Sequence, residues 1–332
     1  MNVSKRDFLK YCAAGAAAGL IGAPRVLRAD MPNLKLGMGT WVGYLPAYVG
    51  LAKDFYKAEG LDLQLITFQG NDAAAAFAAG QVDMTSTAGS STLVLSAQNV
   101  DFKNFMVTDF STGADGILAR NSIKSIADFK GKQIAVEEFA VSHFLLLQVL
   151  DTVGLKESDV QLVNLAPDAA AAAYQSGRVD IAVTYAPYLG QVNAQTKDGR
   201  IIFDTSKMPT AIVDFYLIRS DSMKNKPGAA EAFIKGTFKG LDYMLANPDE
   251  AAKIGAKAME VDAAEVPEDL KGVRIPSLKE SIAALTDPAS PLYVIPQMKS
   301  LAQFLKDKGQ ISNVPDVERF MDSTAQNHVA AG

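Results

Sequence analysis

An internal repeat constrains the fold of this chain more than any other feature of its sequence. The segment 72–83 (DAAAAFAAGQVD) recurs as 168–180 (DAAAAAYQSGRVD), with an aromatic residue, a glycine and an aspartate at one constant offset. The same offset pairs 63–66 (LQLI) with 160–163 (VQLV). A chance likeness of composition would not keep this register, so the chain is expected to contain two copies of one structural unit.

Each copy has the pattern strand, helix, strand, helix, strand. Apolar strands that alternate with helices of about ten residues predict βαβ units and parallel sheets covered on both faces. About 300 residues follow the N-terminal segment, which is more than one hydrophobic core usually serves, so we expect two α/β lobes. The predicted elements are 34–38, 47–59, 63–68, 73–79 and 82–86 in the first copy, and 133–136, 142–152, 160–165, 168–176 and 179–184 in the second.

The repeat also predicts where a ligand would bind. In an open parallel sheet the ligand lies beyond the carboxyl ends of the strands, where loops lead into helices. After an apolar strand pattern at 214–218 the chain is helical, and this tail is expected to pack on the first lobe. The expected cleft loops are 39–44, 69–71 and 88–91 in one lobe, and 137–142, 166–168 and 185–188 in the other.

Residues 1–29 have the pattern of an export signal. A basic start is followed by an apolar run over 13–23 and by Leu27-Arg28-Ala29, which predicts cleavage after Ala29. The run is shorter than the roughly 20 apolar residues of a membrane anchor. The segment 4–10 (SKRDFLK) is similar to a twin-arginine motif, with general secretory export as the alternative.

Composition excludes several classes of function. Removal of residues 1–29, which hold five basic side chains and one acidic one, would change the formal charge from −5 to −9. An acidic chain without a Lys/Arg cluster is not expected to bind nucleic acid or anionic membranes. The sole cysteine, Cys12, lies in the export segment, and His143 and His328 are far apart in sequence. We therefore expect no disulfide, metal or cofactor, and His143 is interpreted as a surface or capping residue.

Several blocks of sequence resemble one known family. They are 39–46 (GTWVGYLP), 52–55 (AKDF), 59–61 (EGL), 109–117 (DFSTGADGI), 128–132 (DFKGK), 142–146 (SHFLL) and 185–188 (YAPY). Together they resemble the nitrate/sulfonate/taurine family of solute-binding proteins of ABC importers, whose fold is shared by receptors for thiamine-pyrimidine precursors. The resemblance spans about residues 33–250 and fades in the C-terminal helices.

The resemblance implies a type II periplasmic-binding fold, in which two lobes close on a ligand about a hinge. The chain is expected to cross between the lobes near 120–125 and again near 203–214. The first lobe would then comprise 30–120 and 215–332, and the second lobe 121–214.

Three aromatic residues are candidates for the ligand site. Trp41 and Tyr44 lie in the Gly-flanked loop 39–44, and Tyr185 ends a strand of the second copy. Aromatic faces with a polar edge suit a small ligand that carries a cation, an amide or an apolar group. Packing in the core is the alternative for each of them.

Hydroxyl residues at helix starts are the candidates for binding an anionic group. Ser90, Ser91 and Ser142 precede predicted helices, whose free N–H groups can hold sulfonate, nitrate or carboxylate. Ordinary N-capping uses the same residue types and is the alternative. Gln69, in the loop 69–71, completes this polar set.

Acidic residues favour a ligand with a positively charged group. Glu137 and Glu138 occupy a loop in which sulfonate receptors of the family usually carry small or hydroxyl residues, and a carboxylate there attracts an ammonium or amidine. Asp109 and Asp214 could add to the acidic pocket, whereas Asp115 is at least as well explained by structural capping. None of the six predicted cleft loops contains Arg or Lys. The alternative for each glutamate is a side chain directed to water.

The sequence thus predicts a monomeric, periplasmic receptor without enzymatic activity. It would deliver a small nitrogen- or sulfur-containing molecule, zwitterionic or cationic rather than a simple anion, to an ABC permease and its ATPase. Alternatives are a receptor for a thiamine-pyrimidine precursor or nitrate, and a binding protein that serves a membrane sensor. Enzymes and transcription regulators that share the fold are disfavoured by the export signal.

Overall fold

The computed structural model describes residues 31–69, 72–208 and 211–332. The predicted export signal, residues 1–29, lies outside the described residues. Residues Pro32–Gly332 form one compact unit. The strands are β1 Asn33–Met38, β2 Asp62–Thr67, β3 Met84–Ala88, β4 Phe102–Ser111, β5 Asp115–Arg120, β6 Gln133–Val136, β7 Gln161–Asn164, β8 Ile181–Tyr185, β9 Gly199–Asp204, β10 Val213–Arg219 and β11 Val273–Arg274.

Helices connect the strands and form the C-terminal tail. In the part of the chain that the structure describes, none of them is both long enough and apolar enough for a membrane span. The helices are α1 Leu45–Ala52, α2 Phe55–Ala58, α3 Asp72–Ala78, α4 Gly89–Ala97, α5 Val141–Asp151, α6 Pro167–Gln175, α7 Tyr188–Gln195, α8 Ser220–Asn225, α9 Ala229–Ala246, α10 Pro248–Met259, α11 Glu265–Leu270, α12 Leu278–Thr286, α13 Ile295–Asp307, α14 Val317–Phe320 and α15 Thr324–Ala331.

Two sheets carry the two copies of the repeat, as the sequence predicts. The first sheet has the order β11-β4-β10-β3-β1-β2 and the second the order β7-β6-β8-β5-β9. In both, the three strands of the repeat are parallel. Helices cover both faces of such a sheet, and accordingly Ile134, Ala135 and Val136 of β6 are all fully buried. The result is the two-lobed type II fold.

Each sheet also receives an antiparallel strand from outside its own repeat. β10 follows the second copy in sequence but pairs with β3 and β4 of the first sheet. Conversely, β5 follows β4 directly but pairs with β8 and β9 of the second sheet. The two lobes are therefore joined by crossings on either side of the second copy.

The position of the first crossing corrects the predicted lobe boundaries. β4 ends at Ser111 and β5 begins at Asp115, so the chain changes sheets over 112–114 and not near 120–125. A turn of three residues, with Gly113 at a φ of 144°, has no linker composition to reveal it. The strand Asp115–Arg120, predicted in the first lobe, belongs to the second sheet, and the start of β10, predicted in the second lobe, belongs to the first.

The helical tail packs mainly on the first lobe. Phe233 of α9 is fully buried against three aromatic rings, with centroids 5.3 Å from Tyr56, 5.9 Å from Phe105 and 4.9 Å from Tyr216. The tail also reaches the second lobe, where Gln191 Nε2 donates a 2.7 Å hydrogen bond to Glu265 Oε2. The tail therefore completes the first core and contacts the other lobe.

The first helix is shorter than predicted. The pattern over 47–59 indicates one helix, but the structure has α1 and α2 separated by Lys53 and Asp54. Asp54 adopts the left-handed conformation, with φ 56° and ψ 24°, which a continuous helix cannot contain. Periodicity did not reveal this break because the buried positions continue across it.

Candidate ligand-binding site

A pocket of about 560 Å³ lies where the carboxyl ends of the parallel strands of the two lobes face each other. This is the position that the repeat predicts, because loops after parallel strands gather at one edge of each sheet. Both lobes contribute aromatic and acidic side chains. The first lobe provides Trp41, Tyr44, Ser91 and Asp214, and the second provides Asp115, Glu137 and Tyr185.

Trp41 forms part of the pocket lining just before the 3₁₀ turn Val42–Tyr44. It is 6% exposed, and its indole Nε1 donates a 3.0 Å hydrogen bond to Oδ2 of Asp109. The ring also meets Tyr185 of the other lobe edge to face, with centroids 5.8 Å apart. Trp41 thus links the two lobes at the pocket.

Tyr44 and Asp214 form a second buried polar pair in the lining. The Tyr44 hydroxyl donates a 3.0 Å hydrogen bond to Asp214 Oδ2. Asp214 lies opposite Asp109 in the pairing of β10 with β4. Burial raises the pKa of Asp214 to about 7, and the hydrogen bond from Tyr44 acts in the opposite direction.

Asp109, Asp115 and Asp214 form an acidic cluster. Burial raises the pKa of Asp115 to about 7, with a smaller contribution from the charge of Asp214. Burial, and then the charge of Asp214, raise the pKa of Asp109 well above its usual value. No Lys, Arg or His of the described chain lines the pocket. Ionisation of the whole cluster would therefore be favoured by a cationic ligand.

The two glutamates of the loop after β6 have different surroundings. Glu137 lines the pocket, and its charge contributes, after burial, to a raised pKa of Tyr185. Glu138 instead lines a separate surface cavity together with Lys156 and Glu157. Of the two carboxylates, the structure therefore directs Glu137 to the ligand pocket.

The N-termini of two helices reach the pocket. Ala88 and Ser91 of the start of α4, and Ala140 and Val141 of the start of α5, are among its lining residues. The first-turn N–H groups of a helix lack intrahelical partners and favour anions. The pocket therefore combines carboxyl groups with two helix ends suited to an oxyanion.

The remaining hydroxyl and amide candidates do not line the pocket. Ser90 and Ser142 are buried in the first turns of α4 and α5, and neither Oγ has a hydrogen-bond partner among the described residues. The N-cap positions are Ala88 and Ala140, so these serines do not cap their helices. Gln69 is exposed and outside the lining.

The interpretation of His143 as a surface residue is wrong. Its side chain is fully buried, Nδ1 accepts a 3.2 Å hydrogen bond from the backbone N–H of Phe139, and Nε2 lies 3.6 Å from Glu157 Oε2. Burial lowers its pKa. The residue follows Ser142 on the inward face of α5, where it packs between the loop and the helix.

Several lining residues were missed at the sequence level. Asp115 was assigned to capping because β5 was placed in the wrong lobe, although it lies in the block 109–117. Thr40 lies within a predicted cleft loop, so its position was a usable signal. Polar residues inside a buried strand, such as Ser86 and Thr87, give no comparable signal. The other lining residues are Gly39, Ala73, Ala74 and Ile212.

Comparison with known proteins gives consistent results. The chain is 29% identical over 282 residues to the taurine-binding periplasmic protein of Escherichia coli (strain K12), covering 81% of this chain and 85% of that protein. Its fold is similar to that of the alkanesulfonate-binding protein SsuA from Xanthomonas axonopodis pv. citri bound to MOPS, with a TM-score of 0.73 at 18% identity, covering 88% of this chain and 99% of that one.

The fold also occurs in an enzyme. The desulfurization enzyme DSZB, in complex with biphenyl-2-sulfinic acid, matches with a TM-score of 0.66 at 15% identity, covering 90% of this chain and 99% of that one. Fold alone therefore does not separate binding from catalysis. The family model described as NMT1/THI5 like matches residues 41–251, and this chain belongs to that family.

Proposed function

We propose that this protein is the periplasmic solute-binding component of an ABC importer, and that its ligand is a small zwitterion with an ammonium-type group and a sulfonate-type group. The observation that carries this proposal is the presence, in one pocket, of carboxyl side chains and two helix N-termini. Relatives named for taurine and aliphatic sulfonates support the same class of ligand.

The acidic side of the pocket is suited to the ammonium group. Asp115, Glu137 and Asp214 all line it, and burial raises the pKa of both aspartates to about 7. An ammonium group placed among them favours their ionised forms and replaces the water that each carboxylate loses on burial. The aromatic rings of Trp41 and Tyr185 add faces that attract a cation.

The opposite charge of the ligand would be held without a basic side chain. The starts of α4 and α5 supply backbone N–H groups and the positive ends of two helix dipoles. Ser91, which lines the pocket in the first turn of α4, adds a hydroxyl donor. A ligand with only a negative charge would meet the acidic side uncompensated, which disfavours nitrate.

Binding without catalysis is part of the proposal. The pocket lining within the described chain contains neither cysteine nor histidine, and His143 is packed away from it. Acyl or phosphoryl chemistry would need a nucleophile beside a base, and no such pair is present in the lining. The predicted export signal would place the receptor where a permease can accept its ligand.

A panel of matched small molecules tests the ligand class. Thermal unfolding and calorimetric titration would compare taurine with isethionate, which replaces the ammonium group by hydroxyl, and with ethylamine, which lacks the sulfonate. Nitrate and an aminopyrimidine would test the two alternative receptors. Ligand at 100 times its Kd stabilises the folded protein by about 2.7 kcal/mol, which is a readily measured increase in Tm.

The proposal expects taurine, or another compound with both charges, to bind more tightly than either single-charge analogue. Equal binding of isethionate would show that the carboxyl groups do not select the ligand. Binding of nitrate or the aminopyrimidine alone would replace the zwitterion by that ligand. Conversion of a bound compound into a product would contradict the assignment as a receptor.

A further inference from the structure

Asp109 lies behind the pocket lining and not in it. Its side chain is fully buried, it is not among the lining residues, and its Oδ2 accepts the hydrogen bond from Trp41 Nε1 at 3.0 Å. Trp41, by contrast, faces the pocket. We propose that Asp109 is a positioning residue, which fixes the indole of Trp41 in the orientation that the ligand meets.

The hydrogen bond is suited to this role because an indole has a single polar donor. A buried N–H group without an acceptor is unfavourable, so the ring orientation that reaches Asp109 is preferred over others. The other close partner described for the ring is Tyr185, which belongs to the opposite lobe. Within its own lobe, Trp41 is therefore oriented by Asp109.

Gly43 provides an independent indication that this pairing is built into the loop. A Cβ atom added to Gly43 would lie 2.2 Å from Asp109 Oδ2 and 2.3 Å from Trp41 Nε1. Both distances are far inside van der Waals contact, so the hydrogen bond passes directly over the Gly43 backbone. Any side chain at this position would separate the two partners.

The charges around Asp109 determine which substitution preserves its role. It faces Asp214 on β10 and Asp115 on β5, with Tyr44 and Tyr216 nearby. Burial and the charge of Asp214 raise its pKa, which favours the neutral acid. A carboxylic acid still accepts through its second oxygen, so Asp109→Asn keeps an acceptor, whereas Asp109→Leu removes it at similar volume.

Fluorescence of the purified protein reports directly on this pair, because Trp41 is the only tryptophan of the chain. Emission spectra and quenching by acrylamide would be measured without ligand for the native protein, Asp109→Asn, Asp109→Leu and Gly43→Ala. We expect Asp109→Asn to match the native protein. Asp109→Leu and Gly43→Ala should show emission at longer wavelength and stronger quenching.

Taurine titrations of the same four proteins test the consequence for binding. This step rests on the proposed function, and we expect the Kd to rise roughly tenfold in Asp109→Leu and Gly43→Ala and to stay near the native value in Asp109→Asn. Failure of taurine to bind the native protein would count against the proposed ligand, whereas the ligand-free spectra still decide the role of Asp109.

Two results would overturn the inference. Native emission and quenching in Gly43→Ala would show that the hydrogen bond does not orient the indole, and Gly43→Ala decides this even if Asp109→Leu fails to fold by circular dichroism. Equal disturbance by Asn and Leu at position 109 would show that charge or packing matters, and not the acceptor.

Discussion

The Tyr44 hydroxyl donates a 3.0 Å hydrogen bond to Asp214 Oδ2, so an aromatic residue of the pocket controls one of its carboxyl groups. This bond favours the ionised form of Asp214 against the effect of burial. Tyr44→Phe should therefore raise the pKa of Asp214 further. A ligand ammonium group would then meet a carboxyl group that is protonated more often at neutral pH.

We expect Tyr44→Phe to weaken taurine binding by roughly three- to tenfold at pH 7, which corresponds to the loss of about one hydrogen bond to a charged group. Calorimetry at pH 7 and pH 8.5 checks this, because the higher pH should restore part of the affinity. An affinity deficit that does not change with pH would mean that the hydroxyl contacts the ligand and does not act through Asp214.

Glu137 and Glu138 offer a matched pair of substitutions. Glu137 lines the ligand pocket and Glu138 lines a separate surface cavity, although they are neighbours in sequence. Glu137→Gln should raise the taurine Kd by roughly tenfold or more, since an interaction with a charged group is removed. Glu138→Gln should leave the Kd unchanged. Equal effects of the two variants would point to a long-range effect of charge.

Substitution of Asp115 should affect stability and binding in opposite directions. Its pKa is raised to about 7 in the folded protein, above the value of about 4 in an unfolded chain, so the folded state binds the extra proton between these values. The free energy of unfolding of the native protein should thus fall, relative to Asp115→Asn, by on the order of 1 kcal/mol for each pH unit from about 4 to 7.

Above pH 7 this difference should stay constant, because Asp115 is ionised in both states. Urea denaturation of both proteins at several pH values measures it, and a flat difference would mean that Asp115 has an ordinary pKa. Taurine affinity should instead rise with pH up to about 8, since the ammonium group requires ionised carboxylates. Asp115→Asn should bind taurine more weakly and with a smaller pH dependence.

Much of the fold follows from local patterns in the sequence. The repeat predicts β1, β2 and β3 and their counterparts β6, β7 and β8, because buried parallel strands need long apolar runs between helices. The same reasoning places Trp41, Tyr44 and Tyr185 at the cleft, since the loops after such strands converge. These predictions depend only on order along the chain.

The remaining features depend on pairing between distant residues. Nothing local distinguishes β5, which leaves the first sheet after only three residues, from a continuation of the first lobe. Asp115 was therefore not recognised as a pocket residue. Likewise, adjacent glutamates alternate in direction only once the backbone after β6 is known, so Glu137 and Glu138 could not be separated by composition.

Phe233 gives a test of the tail that does not involve the ligand pocket. Its ring is fully buried among Tyr56, Phe105 and Tyr216, and it connects α9 to β4 and β10 of the first lobe. Phe233→Ala should lower the free energy of unfolding by about 3–5 kcal/mol, because it removes a buried ring and leaves a cavity. Urea denaturation followed by circular dichroism measures this loss.

Phe233→Leu is the matched control, since it fills most of the cavity and should be less destabilising. Both variants should bind taurine with the native Kd wherever they are folded, because Phe233 is outside the pocket lining. A loss of less than about 1 kcal/mol in Phe233→Ala would show that the tail contributes little to the first lobe. A changed Kd in the folded Phe233→Leu variant would instead show that the tail adjusts the pocket through Tyr216.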